Sequence, residues 1–390
     1  MKLYITKNEK RIHNSIIDLK SRSGSHSPSI QSLKNISNEI NIKVDACFLS
    51  NPYATDLFIE YMSKDLISNG KLREYLEFYP SQNQQIAQLL SNAINVDKEK
   101  ILIGNGATEL IESICNSIIE NSCVITLPTF SPYYEFLSQD VKLLYYETHK
   151  ENSFNVNMTN FIKFVSSKRP NTVVIVNPNN PTGTYLNKSQ IIKILDEFKF
   201  CENIILDESF VHFAYENESL DMIDYYDLTE KYKNLIIIKS MSKDFGVAGI
   251  RIGYAVMDPE KVKRFLSKGY LWNSNGIAEY FLNIYNDKEF KKRYETERKR
   301  YINDTIKFYD DLKSIKNISC IPTLSNFVLT DIGDKIESDL LCSLMLIRHG
   351  IYTRNCDDKI GLNGNYLRIA SRSKDENRLI FKSLEEITRD

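Results

Sequence analysis

The sequence predicts an α/β protein in which a mostly parallel, doubly wound sheet is joined to a smaller α+β part. Strand-like apolar runs alternate with helix-like segments from about residue 46 to 270, which is the pattern of a parallel sheet with right-handed crossovers. A charged, helix-periodic segment at 280–312 then precedes short apolar runs, such as 327–329, and a helix at 338–348. We therefore divide the chain into an N-terminal arm (1–45) that contributes to the small domain, a large domain (46–275) and a small domain (276–390).

Composition limits the classes of function. The 390 residues include 50 basic and 51 acidic side chains, so net charge gives no reason to expect a nucleic-acid or membrane partner. The seven cysteines include no CxxC pair and only five histidines accompany them, so we expect neither a metal site nor a disulfide framework. The first ten residues lack an apolar leader, and no stretch approaches the ~18 apolar residues of a membrane helix. A cytoplasmic location is the simplest expectation.

The segment SMSKDFG at 240–246 follows an apolar run at 235–238. Lys243 is flanked there by Ser240 and Ser242, and Arg251 follows eight positions later. A lysine at the end of a buried strand can be partly desolvated, which lowers the pKa of its amine and makes it nucleophilic. This arrangement suits the covalent attachment of pyridoxal phosphate (PLP) to Lys243, with Arg251 meeting the phosphate. Alone, the motif would also fit a polar loop.

A glycine turn at 104–109 lies between a strand-like run and a helix-like run. Glycines in such a turn expose backbone N–H groups to an anion at the helix N-terminus. Gly106, Ala107 and Thr108 are therefore candidate phosphate contacts. A dinucleotide site would need a third glycine and a P-loop would need Gly-Lys-Ser/Thr, and neither pattern is present.

Three further strand ends carry candidate cofactor contacts. The loop at 127–134 offers Tyr133 for stacking on the pyridine ring, although an aromatic there could equally be packing. The sequence NPNNPTG at 177–183 fixes Asn180, which can donate to the ring O3′. Asp207 follows an apolar run, and its carboxylate could keep the pyridine nitrogen protonated. The alternative is that Asp207 is buried in a structural salt bridge, with a partner that the sequence does not reveal.

In this order, these elements resemble the fold type I PLP enzymes, specifically the histidinol-phosphate aminotransferase-like group of class I/II aminotransferases. The resemblance covers roughly residues 45–384 and implies a seven-stranded large domain. It implies that Ser240, Ser242 and Arg251 bind the cofactor phosphate and that Tyr79 reaches the phosphate of the neighbouring subunit's cofactor. An active site shared between subunits implies a homodimer. The residues assigned to catalysis are Lys243, Asp207 and Tyr133.

The C-terminal run NYLRIASRS at 365–373 offers a grip for a substrate carboxylate. A planar guanidinium can bind a carboxylate through two hydrogen bonds, and Arg368 aligns with the carboxylate arginine of the family. Its plain alternative is a surface arginine on a strand. Arg372 follows four residues later, which suggests a doubly basic anion pocket.

Three patterns resemble one subgroup, the L-threonine-O-3-phosphate decarboxylases. Phe210 stands where the aminotransferases usually place a tyrosine that hydrogen-bonds O3′. The run from Arg368 has the form Arg-x-Ala-x-Arg-Ser, and TRNC at 353–356 is followed by Gly-Leu at 361–362. The resemblance implies that Arg354 and Arg372 bind a substrate phosphate. Asn51 is a further candidate for substrate binding.

The chain departs from that subgroup in two places. His212 stands where an acidic residue is common, and we expect it to pack rather than react. The N-terminal arm lacks the His-Gly-Gly-Asn motif that helps bind substrate phosphate. The polar segment at 20–27 is expected to be a flexible loop, and we do not expect its His26 to replace that motif.

The predicted function is PLP-dependent decarboxylation of a small O-phospho-L-amino acid. L-Serine phosphate would give ethanolamine phosphate and L-threonine phosphate would give aminopropanol phosphate, and the departures slightly favour serine phosphate. One alternative is a glutamate-dependent aminotransferase for a phosphorylated carbonyl compound of the histidinol phosphate or triose phosphate type. Another is an idle domain kept for binding or regulation, against which the intact Lys243, Asp207 and Arg251 argue.

Overall fold

The structure is a computed structural model that describes residues 4–24, 26–214, 225–269 and 273–389. The strands within these ranges are β1 (Val44–Asp45), β2 (Ile101–Gly104), β3 (Ser122–Leu127), β4 (Lys142–Glu147), β5 (Thr172–Val176), β6 (Asn203–Asp207), β7 (Leu235–Ser240), β8 (Gly253–Val256), β9 (Ser319–Cys320), β10 (Phe327–Asp331), β11 (Ile351–Tyr352), β12 (Arg354–Asn355) and β13 (Tyr366–Ala370).

The helices in the same ranges are α1 (Lys7–Arg22), α2 (Ile30–Lys34), α3 (Pro52–Met62), α4 (Leu72–Glu77), α5 (Asn83–Ile94), α6 (Ala107–Ser117), α7 (Pro132–Glu135), α8 (Met158–Lys168), α9 (Lys188–Glu197), α10 (Leu228–Lys231), α11 (Pro259–Leu266), α12 (Gly276–Tyr285), α13 (Lys288–Lys313), α14 (Ser338–His349) and α15 (Lys374–Thr388). Short 3-10 turns lie at Lys98–Lys100, Lys150–Asn152, Val211–Phe213 and Ala248–Ile250, and a π-helical segment at Ser63–Ser68.

The largest sheet has seven strands in the order β2-β8-β7-β6-β5-β3-β4. Strand β8 pairs antiparallel with both of its neighbours, and the pairs from β7 to β4 are parallel. The predicted fold class is confirmed. Because the strands are parallel, their carboxyl ends meet at one edge, which is where sites form in open α/β sheets.

The strands of this sheet are apolar because both of their faces are buried. In β5, Val173 and Ile175 join one core while Val174 and Val176 join the other. Helices α5, α8 and α9 cover the first face, and α6 and α11 cover the second. A strand covered on both sides must be apolar at every position, which explains the unbroken run of β-branched residues.

A second, four-stranded antiparallel sheet has the order β12-β13-β10-β9. Its core includes residues of α14, α15 and the C-terminal half of α13. The N-terminal arm joins this part, since β1 pairs in parallel with β11 and Glu9 of α1 forms an ion pair with Arg348 of α14 at 2.7 Å. The expected strand at 327–329 and the expected helix at 338–348 are both present.

The charged, helix-periodic segment at 280–312 contains parts of two helices, α12 and α13. Asp287 separates the two helices. Its side chain accepts a hydrogen bond from the backbone N–H of Phe290 and so caps the start of α13. Helix α12 and the first part of α13, through Phe281, Phe290 and Tyr294, pack into the core of the seven-stranded sheet. The predicted domain limit at residue 275 stays a prediction, and this packing favours a limit within α13.

The polar segment at 20–27 is partly helical, because α1 continues to Arg22. Ser25 lies outside the described residues, and Tyr352 Oη donates to the carbonyl of Pro28 at 2.9 Å, just after the segment. Across the described ranges, every helix is too short or too polar to cross a bilayer.

Candidate active site

A cavity of about 300 Å³ opens at the carboxyl ends of β5, β6 and β7. It collects residues from the N-terminal arm, from the strand ends of the large sheet and from the four-stranded sheet. The lining includes ten residues that the sequence analysis named as site candidates: Ala107, Thr108, Asn180, Asp207, Ser240, Ser242, Lys243, Arg251, Arg354 and Arg368. Residues spread over 260 positions of sequence thus converge on one space.

One end of the cavity is a cradle for an anion. Gly106 precedes α6 with a φ of 85°, a backbone conformation that favours glycine. A Cβ on Gly106 would lie 2.3 Å from the Arg251 guanidinium, and a Cβ on Gly253 would lie 2.6 Å from the Ala107 nitrogen. The missing side chains therefore bring the N-terminus of α6 close to the Arg251 guanidinium, and Ser240 and Ser242 line the same cavity. This combination of donors suits a phosphate.

Lys243 lines the cavity between this cradle and Arg368. Burial, and then the charges of Arg368 and Arg251, lower the pKa of its amine to about 8. A substantial fraction of the amine is then neutral near physiological pH, as a nucleophile requires.

Asp207 ends β6 and is buried at the cavity wall. Its Oδ2 accepts from the Tyr133 hydroxyl at 2.9 Å, and its Oδ1 accepts from the Ser209 backbone at 2.9 Å. Burial raises the pKa of this carboxyl, while these hydrogen bonds and the charge of Lys239 oppose the shift. A cation placed against Asp207 would offset the cost of burial.

Tyr133 is fully buried and does not line the cavity. Its hydroxyl donates to Asp207, which does line the cavity. The aromatic ring of this loop that lines the cavity is that of Phe130, three residues earlier. Stacking of Tyr133 on the pyridine ring therefore stays a prediction, and Phe130 is a second candidate for that contact.

Asn180 and Arg368 meet across the cavity. Arg368 Nη1 donates to Asn180 Oδ1 at 2.7 Å, and its Nη2 donates to the carbonyl of Cys47 at 2.8 Å. Both acceptors are neutral, so this buried guanidinium keeps its full charge for an anion. The acceptor oxygen of Asn180 is engaged, which leaves its amide nitrogen as the donor, as predicted for an O3′ contact.

A second group of cations lies beside Arg368. Arg354 Nη2 forms an ion pair with Asp358 at 2.6 Å, and Lys359 lies 3.6 Å from the same carboxylate. Lys359 also donates to Ser131 Oγ at 2.9 Å, and burial lowers the pKa of its amine. Both cations line the cavity. Sequence reasoning missed Lys359, although it lies five residues after Arg354 in a segment that was already singled out.

Asn51, Arg372 and Tyr79 are further predicted residues that do not line this cavity. Asn51 is buried beneath it, where its side chain caps α3 and donates to the carbonyl of Asp244. Arg372 donates to the carbonyl of Ser50 at 2.8 Å and lies 3.8 Å from Glu376. Tyr79 is 82% exposed, after α4. The substrate contacts of Asn51 and Arg372 stay predictions, and neither residue lines the cavity. The exposure of Tyr79 is what a contact to a neighbouring subunit requires.

The cavity is also lined by two residues of the arm, His26 and Ser27. Phe210, which stands where the aminotransferases usually place a tyrosine, lines it too. Phe210 packs edge-on against Phe327 with ring centroids 5.4 Å apart, and it brings no hydroxyl to the site. The expectation that His26 does not replace the missing motif of the arm stays a prediction, and His26 lines the same cavity as Arg354.

The family model for aminotransferase class I and II matches residues 48–382, which include every element that builds the cavity except the arm. The chain belongs to the class I and II aminotransferase family. An L-serine phosphate decarboxylase of Campylobacter jejuni is 47% identical over 97% of both chains. An L-serine phosphate decarboxylase of Sulfurospirillum multivorans is 40% identical over 95% of both chains. The solved structure of a decarboxylase from Sulfurospirillum multivorans superposes with a TM-score of 0.93, at 38% identity, over 98% of this chain and 97% of that one.

Proposed function

We propose that this chain is a PLP-dependent decarboxylase that converts O-phospho-L-serine to ethanolamine phosphate and carbon dioxide. The observation that carries the proposal is that one cavity combines a phosphate cradle, the desolvated Lys243 and two cationic subsites. One subsite is Arg368, and the other is the pair Arg354 and Lys359. The high similarity to two proteins named L-serine phosphate decarboxylase supports this choice over phosphothreonine.

The residues present fit the cofactor. The cradle between Gly106 and Arg251 would hold its phosphate, and Lys243 is the covalent attachment point. Asp207 would bind the pyridine nitrogen and keep it protonated, with Tyr133 and Ser209 holding the carboxylate. Phe130 offers an aromatic face at the same cavity. When bound, PLP supplies an electron sink for the pair left on Cα as a bond to Cα breaks.

Two anionic groups on the substrate match two cationic subsites. We assign the carboxylate to Arg368, whose hydrogen-bond partners in the structure are neutral acceptors. We assign the phosphate to Arg354 and Lys359, with His26 close by on the arm. Asp358 offsets part of the charge on this pair, and a phosphate dianion would compete with it for both cations.

The chemistry that follows needs one bond broken and one proton returned. The bond between Cα and the carboxylate carbon breaks, and carbon dioxide leaves. Lys243, freed when the amino group of the substrate takes its place on the cofactor, would return a proton to Cα. Its lowered pKa of about 8 lets the free amine alternate between acid and base near neutrality. Phe210 leaves out the hydroxyl that a tyrosine would place at the ring O3′, which distinguishes this wall of the cavity from that expected for an aminotransferase.

The proposal includes a homodimer with shared active sites and a cytoplasmic location. Tyr79, with the exposed Leu76 and Phe78 beside it, forms an apolar surface that a second subunit would cover. Tyr79 would then reach the cofactor phosphate of the partner. The reducing cytoplasm suits the seven free thiols.

The test incubates the PLP-loaded protein with O-phospho-L-serine and, separately, with O-phospho-L-threonine, without any keto acid. Carbon dioxide release and phosphorus NMR report the reaction. We expect ethanolamine phosphate from the serine compound at a higher kcat/KM than aminopropanol phosphate from the threonine compound. No carbon dioxide, together with conversion of the cofactor to its pyridoxamine form by L-glutamate, would show an aminotransferase instead.

A further inference from the structure

The turn that carries Lys243 lies between β7 and the 3-10 turn at Ala248–Ile250, outside any strand ladder. Its backbone must therefore be fixed by other contacts. On one side, the carbonyl of Lys243 accepts from the Asn51 backbone N–H at 2.8 Å, and the Asn51 side chain donates to the carbonyl of Asp244 at 3.2 Å. These bonds hold the Lys243–Asp244 peptide from the side of α3.

On the other side, the carboxylate of Asp244 is buried between two nitrogen partners. Its Oδ2 lies 2.6 Å from His212 Nδ1 and 3.0 Å from Lys239 Nζ, and all three side chains are at most 1% exposed. Burial acts to raise the pKa of Asp244, but Lys239 and His212 together lower it to about 2. The carboxylate is therefore ionised and anchored, since breaking a buried pair leaves an uncompensated charge.

The same cluster reaches the residues that follow Asp207. Lys239 Nζ donates to the carbonyl of Glu208 at 3.4 Å, and His212 lies on the 3-10 turn at Val211–Phe213. Arg298 of α13 donates to the carbonyl of His212 and so fixes that turn from the outside. One buried ionic cluster thus connects the peptide after Lys243 with the segment after Asp207.

We propose that Asp244, His212 and Lys239 are positioning residues that set the distance and angle between Lys243 and Asp207. The inference rests on the proposed function, because that geometry matters only if Lys243 holds the cofactor and Asp207 its pyridine nitrogen. None of the three side chains lines the cavity. Their effect is transmitted through the backbone to both residues that would hold the cofactor.

The test compares PLP-loaded wild type with the double variant Lys239→Met/Asp244→Leu. Replacing both members of a buried pair by apolar residues avoids an unpaired charge, so we expect Tm within a few degrees of wild type. We expect the pH midpoint of the PLP absorbance band to shift by about one unit. We expect kcat to fall about tenfold to hundredfold while KM changes less than about threefold, because misplacement affects the chemical step more than binding.

A second pair of variants keeps the proposal testable if the double variant does not fold. His212→Asn retains a donor to Asp244 at the position of Nδ1, and it should keep a midpoint and kcat closer to wild type than His212→Leu does. Lys100→Met is the matched control, since Lys100 is a buried, ion-paired lysine in the 3-10 turn just before β2, and the variant should leave the midpoint unchanged.

The outcomes separate the two proposals. Absence of a PLP band in wild type would contradict the proposed function. If wild type shows a normal band, either of two results would overturn the positioning role alone. One is a wild-type midpoint and kcat in the double variant, and the other is an equal effect of His212→Asn and His212→Leu.

Discussion

Lys359 is the side chain that most changes the interpretation of the site. Its side chain is 10% exposed at the cavity, donates to Ser131 just before α7 and lies 3.6 Å from Asp358. A phosphate beside it would restore the charge that burial disfavours, since burial lowers the pKa of its amine. Its position supports a phosphate subsite made with Arg354 rather than with Arg372.

The variant Lys359→Met tests this assignment. We expect KM for O-phospho-L-serine to rise about tenfold to hundredfold, because a charge-assisted hydrogen bond contributes about 1.5–3 kcal/mol. The PLP absorbance band should not change, since Lys359 is assigned to substrate. Lys316→Met, at an exposed lysine of the same part of the chain, is the control. An unchanged KM in Lys359→Met would remove this residue from the subsite.

Lys243 gives a prediction in pH. The neutral amine attacks PLP, and the pKa of this amine is lowered to about 8. The rate at which PLP loads the cofactor-free protein should therefore rise with pH through about 8 and level off above it, as followed by stopped-flow absorbance. A midpoint near the ordinary lysine value of about 10.4 would show that the cavity does not desolvate the amine.

At the scale of single elements, the strand ends explain what the sequence could predict. Gly106, Asp207 and Lys243 each follow a buried apolar run, so their place at the carboxyl edge of the sheet follows from the order of the runs. The position of a residue at a strand end depends only on the local sequence and on the parallel direction of the strands. That is why most of the residues predicted to hold the cofactor line one cavity.

Other features depend on rotation about a turn or on distant packing, which short motifs do not encode. The choice between Tyr133 and Phe130 depends on where α7 begins. Arg368 and Arg372 are four residues apart, yet the strand β13 ends between them and only Arg368 lines the cavity. The contact between Lys359 and Ser131 joins residues 228 positions apart and could not be predicted from either segment.

The loop before α6 is an element whose shape can be tested. In Gly106→Ala, the new Cβ would lie 2.3 Å from the Arg251 guanidinium at a φ of 85°, so either the loop or the arginine must move. We expect PLP affinity to fall at least about tenfold, measured by fluorescence titration of the cofactor-free protein. Gly249→Ala is the control, because a Cβ there meets open space. Equal affinity in the two variants would contradict a phosphate cradle at Gly106.

At the scale of the whole molecule, the proposed dimer predicts complementation. Lys243→Ala subunits lack the attachment lysine, and Tyr79→Ala subunits lack the contact proposed for the partner's cofactor. A hybrid dimer of the two carries one site with both residues intact, so mixing after mild denaturation should restore activity and tight PLP binding at that site. Mixtures no more active than the separate variants would place Tyr79 in its own subunit's site or outside the site.

The division of contacts between the two sheets has a practical consequence. The residues assigned to the cofactor come from the edge of the seven-stranded sheet, whereas Arg354, Lys359 and Arg368 come from the segment at 354–368 around the four-stranded sheet. Substrate preference can therefore be diversified in a library confined to that short segment. Retention of the yellow colour of bound PLP would serve as a screen for intact folding before any new activity is sought.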